Sequence, residues 1–152
     1  MVETRKQAAM FNPTREQVRE FFTEAWRKER AGAVLTPLET MAADLIRLHP
    51  EYHADLEDPE AAARDYPVEV GRTNPFLHLS MHLAIAEQVS IDHPPGIRAA
   101  WRALLGTRDE HKAAHVVMEA LGEVVWEAQR MGVPLDNDRY LDLIRRRATQ
   151  DP

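Results

Sequence analysis

The chain contains no cysteine. Disulfides, zinc knuckles, iron–sulfur clusters and thiol catalysis are therefore excluded, and any metal must be held by nitrogen and oxygen ligands. Glycine occupies only six of 152 positions, while Leu, Ala, Glu and Arg dominate, which is the vocabulary of an all-helical protein. An excess of positive charge is also missing. Nineteen Lys and Arg against 25 Asp and Glu give a net charge of −6, so the molecule repels a phosphate backbone and no nucleic-acid partner is expected. The one compact basic run, Arg145, Arg146 and Arg147, falls where the last turn of a C-terminal helix is expected, and cations there favour the helix dipole. Long apolar runs are absent too. The most hydrophobic segment, Leu77 to Ile91, is too short to span a bilayer and carries His78, His82 and Glu87, and Met1 to Met10 has no apolar signal core. A soluble, cytoplasmic protein with no membrane partner is the expectation.

What the chain does have is helix punctuation. Most of its ten prolines follow Asn, Thr, Asp or His, the arrangement that opens a helix. Asn12-Pro13-Thr14 starts a helix that Gly32 ends, with Val18, Phe21, Phe22, Ala25 and Trp26 on one apolar face. Thr36-Pro37-Leu38-Glu39 is a capping box for a second helix. A residue before proline is pushed out of the α region, so His49-Pro50 breaks that helix and starts a short one to Glu57, which makes His49 a boundary residue. Glu60 to Arg64 reads as a helical turn and Asp65 to Gly71 as an irregular crossing. Asn74-Pro75 caps a central helix to about Ile91, and His93-Pro94-Pro95 opens another, Gly96 to Leu105. Thr107-Arg108-Asp109-Glu110 reads as a second capping box, starting the longest helix, which stops at Gly132; Asp136 or Asn137 caps the last. The fold class expected is all-α, a compact bundle of about six helices. Residues 1–9 are expected as an N-terminal extension free to be disordered, 10–148 as a single helical domain, and 149–152 as a tail.

Six of the seven histidines form three His-x-x-x-His pairs, His49/His53, His78/His82 and His111/His115. Random placement would give about 0.3 such pairs, so the excess needs a cause. A spacing of four stacks two imidazoles on one helix face, where both can aim at one ion. Helical phase puts His78 and His82 with Ile85 and Val89, and His111 and His115 with Met118, Gly122, Val125 and Trp126, so both pairs should face inward, with Gly122 letting another helix approach. Buried imidazoles need partners for both nitrogens, and a shared cation supplies one for several at once. Glu119 and Glu57 each extend a pair by four residues. Residues eight apart lie about 12 Å apart along a helix, so one ion cannot readily hold all three side chains, and a carboxylate would complete or bridge a dinuclear site.

The expected metal set is His53, His78, His82, His111, His115 and Glu119, holding a divalent transition metal, zinc or iron, as imidazole and carboxylate ligands suggest. Two-metal centres of this inventory are similar in kind to haemerythrin, though order and helix layout differ. Plainer readings stand beside it. His49 would be a helix boundary, His93 a turn residue, Glu57 a solvated acid, and Glu87 turned away from His78 and His82; Trp26, Trp101 and Trp126 would be core. Haem on two core histidines lacks any attachment motif. The alternative to a metal protein is a non-enzymatic interaction or regulatory protein whose core histidines are only hydrogen-bonded, and catalysis on an open coordination position is left open. A protein or small-molecule partner and a homodimer are both compatible with these residues.

The run Gly71 to Gln88, GRTNPFLHLSMHLAIAEQ, with Met10-Phe11-Asn12-Pro13 and Asp109 to Glu119, resembles a proteobacterial family known as a domain of unknown function. The likeness spans about Met10 to Arg147. It implies one compact bacterial domain, with Met1 to Ala9 as an extension, and supplies no activity or catalytic residues.

Overall fold

The computed structural model describes residues 14–60 and 74–150. The expected N-terminal extension, the helical turn at Glu60 to Arg64 beyond residue 60 and the crossing at Asp65 to Gly71 lie outside these described residues. Among them the chain is all-α, as its composition predicts, and contains no strand. Seven α-helices follow in order: α1 Arg15–Ala31, α2 Pro37–Arg47, α3 His53–Glu57, α4 Pro75–Ile91, α5 Ile97–Leu105, α6 Glu110–Met131 and α7 Asn137–Ala148, with a 3₁₀ turn, Pro50–Tyr52, between α2 and α3. Their internal contacts fall into two units, Met1–Ser80 and Met81–Pro152, which divide within the continuous helix α4.

In the first unit both long helices begin on capping boxes. The Thr14 side chain accepts the Gln17 N–H while the Gln17 side chain accepts the Thr14 N–H, and Thr36 and Glu39 do the same at α2. Helix α1 ends at Gly32, whose φ of 70° is the left-handed conformation that a side chain would strain. Phe22, Ala25 and Trp26 of α1, Ala42, Ala43 and Ile46 of α2, Leu56 of α3, and Phe76 and Leu79 of α4 are all buried. Each large apolar side chain among them contributes roughly 1.5–3 kcal/mol by leaving water. Polar side chains tie these helices together. Lys28 donates to Glu39 at 2.9 Å and Arg30 pairs with Glu57 at 3.0 Å. The guanidinium of buried Arg19 lies 5.1 Å from the centre of the Phe76 ring.

The second unit packs the C-terminal part of α4 with α5, α6 and α7 around Ile85, Ile97, Leu104, Val117, Val124, Tyr140 and Ile144. Tyr140 is 1% exposed, and its hydroxyl donates to Gln88 at 2.7 Å, which satisfies the buried phenol and ties α7 to α4. Helix ends here are closed by side chains from elsewhere in the fold. The Asp92 carboxylate accepts the N–H groups of Gly96 and Arg98, the Arg98 guanidinium donates back to the carbonyls of Val89 and Ser90, and buried Arg108 donates to the Arg147 carbonyl at 3.1 Å.

Three local expectations are corrected. Thr107 does not cap α6: Asp109 does, accepting the Lys112 N–H at 2.8 Å, while the Thr107 hydroxyl accepts from Arg108. The helix therefore starts one residue past the nearer of two plausible caps, because Asp109 has the extended backbone that an N-cap requires. Gly122 admits no close neighbour, since a Cβ built there meets nothing within 4 Å. Trp126, on the same face, is 57% exposed with Arg130 stacked over its ring, so it is surface and not core.

Candidate metal centre

The site is built from histidines on two helices of the second unit. In the second unit, α4 carries His82 and α6 carries His111 and His115. Four residues separate the two α6 histidines, so they lie on one face one turn apart, with ring centres 4.4 Å apart. The His82 ring sits over both, 5.4 Å from His111 and 5.2 Å from His115. His82 is buried, 2% exposed, and the two α6 rings are half-buried. Three imidazoles thus come together on helices whose Ile85, Ala114 and Met118 are buried.

His49 has a different origin. Proline at position 50 forces its backbone out of the helical region, to φ −126° and ψ 65°, and α2 ends there. The ring folds back so that Nδ1–H donates to the Leu45 carbonyl at 2.8 Å, one of the carbonyls that a helix C-terminus leaves without an intrahelical partner. In the neutral ring this bond fixes the tautomer and makes Nε2 the nitrogen with a lone pair. His49 is 1% exposed, stacks on Tyr52 at 5.3 Å, and meets the half-buried His78 ring edge-on at 5.1 Å. In the second unit the three imidazoles of His82, His111 and His115 offer ring nitrogens that all lie within 4.8 Å of one another.

That spacing can be set against what an ion needs. Nitrogen ligands about 2.0–2.1 Å from a tetrahedral zinc are roughly 3.3 Å apart, so the widest pair would have to close by about 1.5 Å. Side-chain torsions of a few tens of degrees move a ring nitrogen that far without backbone change.

Of the residues expected from the sequence, His82, His111 and His115 come together. His78 lies one turn before His82 on α4, in the first unit against His49 and Tyr52. His53 is turned elsewhere: its Nε2–H donates to the Ile46 carbonyl at 2.9 Å, and its ring lies 4.5 Å from that of Trp26. His49 and His53 therefore act together as caps for the last carbonyls of α2. Glu119 sits on the surface in an ion pair with Arg147 at 2.9 Å, its side chain 66% exposed, because a further step of four carries it past the imidazole pair toward α7. Glu57 is taken by Arg30, and Glu87 is exposed, as its helical phase predicts.

Sequence reasoning treated His49 as a boundary residue, which it is. No helix among the described residues is long and apolar enough to cross a membrane. No curated protein and no solved structure matches the chain. One family model matches residues 14–146, nearly the whole described chain, and the protein accordingly belongs to the family described as "Domain of unknown function (DUF1841)".

Proposed function

We propose that this protein is a metal-binding helical domain in which His82, His111 and His115 hold one divalent transition metal. The observation that carries the proposal is the convergence, within the second unit, of three imidazole nitrogens within 4.8 Å, one ring buried and two half-buried. Burying so many polar rings side by side is costly when each must find its own hydrogen bonds, and a single cation satisfies one lone pair on every ring. All-imidazole ligation in a chain without thiolates suits zinc or iron, with copper and nickel favoured by raw affinity. With Glu119 committed to Arg147, the inventory fits one ion rather than two.

Elemental analysis by inductively coupled plasma mass spectrometry, on tag-free protein and on a His82→Ala/His115→Ala double variant, tests this. Near one equivalent of zinc or iron in the parent and none in the folded double variant is the expected result. No metal in either, after incubation with both ions, would make the histidines structural and leave a non-enzymatic interaction protein as the better reading.

A further inference from the structure

We infer that the Asp109 cap of α6 sets how fast the metal leaves, with His111 as the ligand that opens; this rests on the metal-binding proposal above. The three imidazoles are anchored unequally. His82 lies in the middle of α4 and is 2% exposed, and His115 lies beyond the first turn of α6. His111 is the second residue of α6, half-buried, in the turn whose N–H groups have no intrahelical acceptor. Helix ends open at much lower free energy than helix interiors, so thermal opening reaches His111 before either of the other two.

Two hydrogen bonds accepted by Asp109 hold that turn. Its carbonyl takes the Ala113 N–H at 2.9 Å and its carboxylate takes the Lys112 N–H at 2.8 Å, so both bonds close a loop of chain around His111. The extended backbone of Asp109, φ −71° and ψ 168°, is the geometry that lets one residue make both. When the turn opens, His111 swings away with it and the ion is left on His82 and His115. A competing chelator or an acceptor protein then takes it from the α6 side, where His111 and His115 are half-buried. The centre is accordingly one that hands its ion on, and Asp109 is a positioning residue for it. Replacing an N-cap aspartate by alanine raises the population of the frayed turn about fivefold, within a range of roughly 2–30-fold, whereas asparagine caps as well as aspartate.

The test is zinc release from the full-length, tag-free protein into excess pyridylazoresorcinol, a chromogenic chelator, followed by stopped-flow absorbance. Asp109→Ala should release zinc about fivefold faster than the parent, and Asp109→Asn at the parent rate. Asp136→Ala controls for general loosening. Asp136 caps α7 in the same way, accepting the Arg139 N–H at 3.1 Å, but α7 carries no histidine, so release should stay at the parent rate. No acceleration in Asp109→Ala, or an equal one in Asp136→Ala, overturns this inference and leaves metal binding intact. So does an Asp109→Asn variant as fast as Asp109→Ala, which would assign the effect to charge instead of the cap. A parent that takes up no zinc overturns the metal proposal, and this inference with it.

Discussion

Replacing His82 by alanine, beside a parallel replacement of His53, separates a ligand from a helix cap. With free zinc held at about one hundred times its dissociation constant, binding stabilises the native protein by about 2.7 kcal/mol. For 152 residues the unfolding entropy is about 0.32 kcal/mol per kelvin near 60 °C, so zinc should raise the melting temperature of the parent by about 8 °C. His82 is one of the three rings that converge from α4 and α6, and its loss should weaken binding by more than the roughly 10–100-fold known for partners outside the ligand shell. At the same zinc concentration a hundredfold loss leaves about 0.4 kcal/mol, or a rise of about 1 °C. His53 behaves oppositely. Its alanine variant gives up the bond to Ile46 and the Trp26 contact, which should lower the metal-free melting temperature by about 3–6 °C, equivalent to roughly 1–2 kcal/mol, while the zinc increment stays near 8 °C. Differential scanning calorimetry with and without zinc reads both quantities. A full zinc increment in His82→Ala, or its disappearance in His53→Ala, would refute the assignment of the two histidines.

Two further predictions concern the scaffold. Gly122→Ala should stabilise the protein by about 0.5–1 kcal/mol in urea unfolding, because the added methyl meets nothing and glycine inside a helix costs backbone entropy; a loss of stability would mean that something packs there after all. The Glu39 carboxyl is held below the usual carboxylate range by the Thr36 N–H, which it accepts at 2.9 Å, and by the Lys28 ammonium. A value lower in the folded state than in the unfolded chain means stabilisation that is complete above the ordinary carboxylate range and lost as pH falls through it. The stability gap between the parent and Glu39→Gln should accordingly be widest near neutrality and shrink in acid, and a gap independent of pH would show that the ionised carboxylate contributes nothing.

The helices were legible because their signals are local. Thr14 and Gln17, or Thr36 and Glu39, are three residues apart in sequence and in space alike, so a cap seen in the sequence is the cap found in the fold. The same holds for the stop at Gly32 and for Gly132, which adopts φ 64° at the end of α6. Where two caps competed, as Thr107 and Asp109 did, local pattern gave no ranking, since the choice turned on which residue the incoming chain left extended. Trp126 shows the corresponding failure on a helix face. Its phase matched that of His115, but whether a face is buried depends on what lies against it, and nothing in the α6 sequence specifies that.

The histidines divide along the same line. By itself the sequence determined that three pairs of imidazoles stand one turn apart, that a chain without cysteine would hold metal only through nitrogen and oxygen, and that α4 and α6 each bring a matched pair. These are consequences of composition and of a 3.6-residue repeat. Only the tertiary structure decided that His82 meets His111 and His115, that His78 turns to His49 and Tyr52, that His53 closes α2 against Trp26, and that Arg147 claims Glu119. The physical reason is that a helical period fixes the direction of a side chain relative to its own axis, while the partner that it finds is set by the crossing of axes distant in sequence.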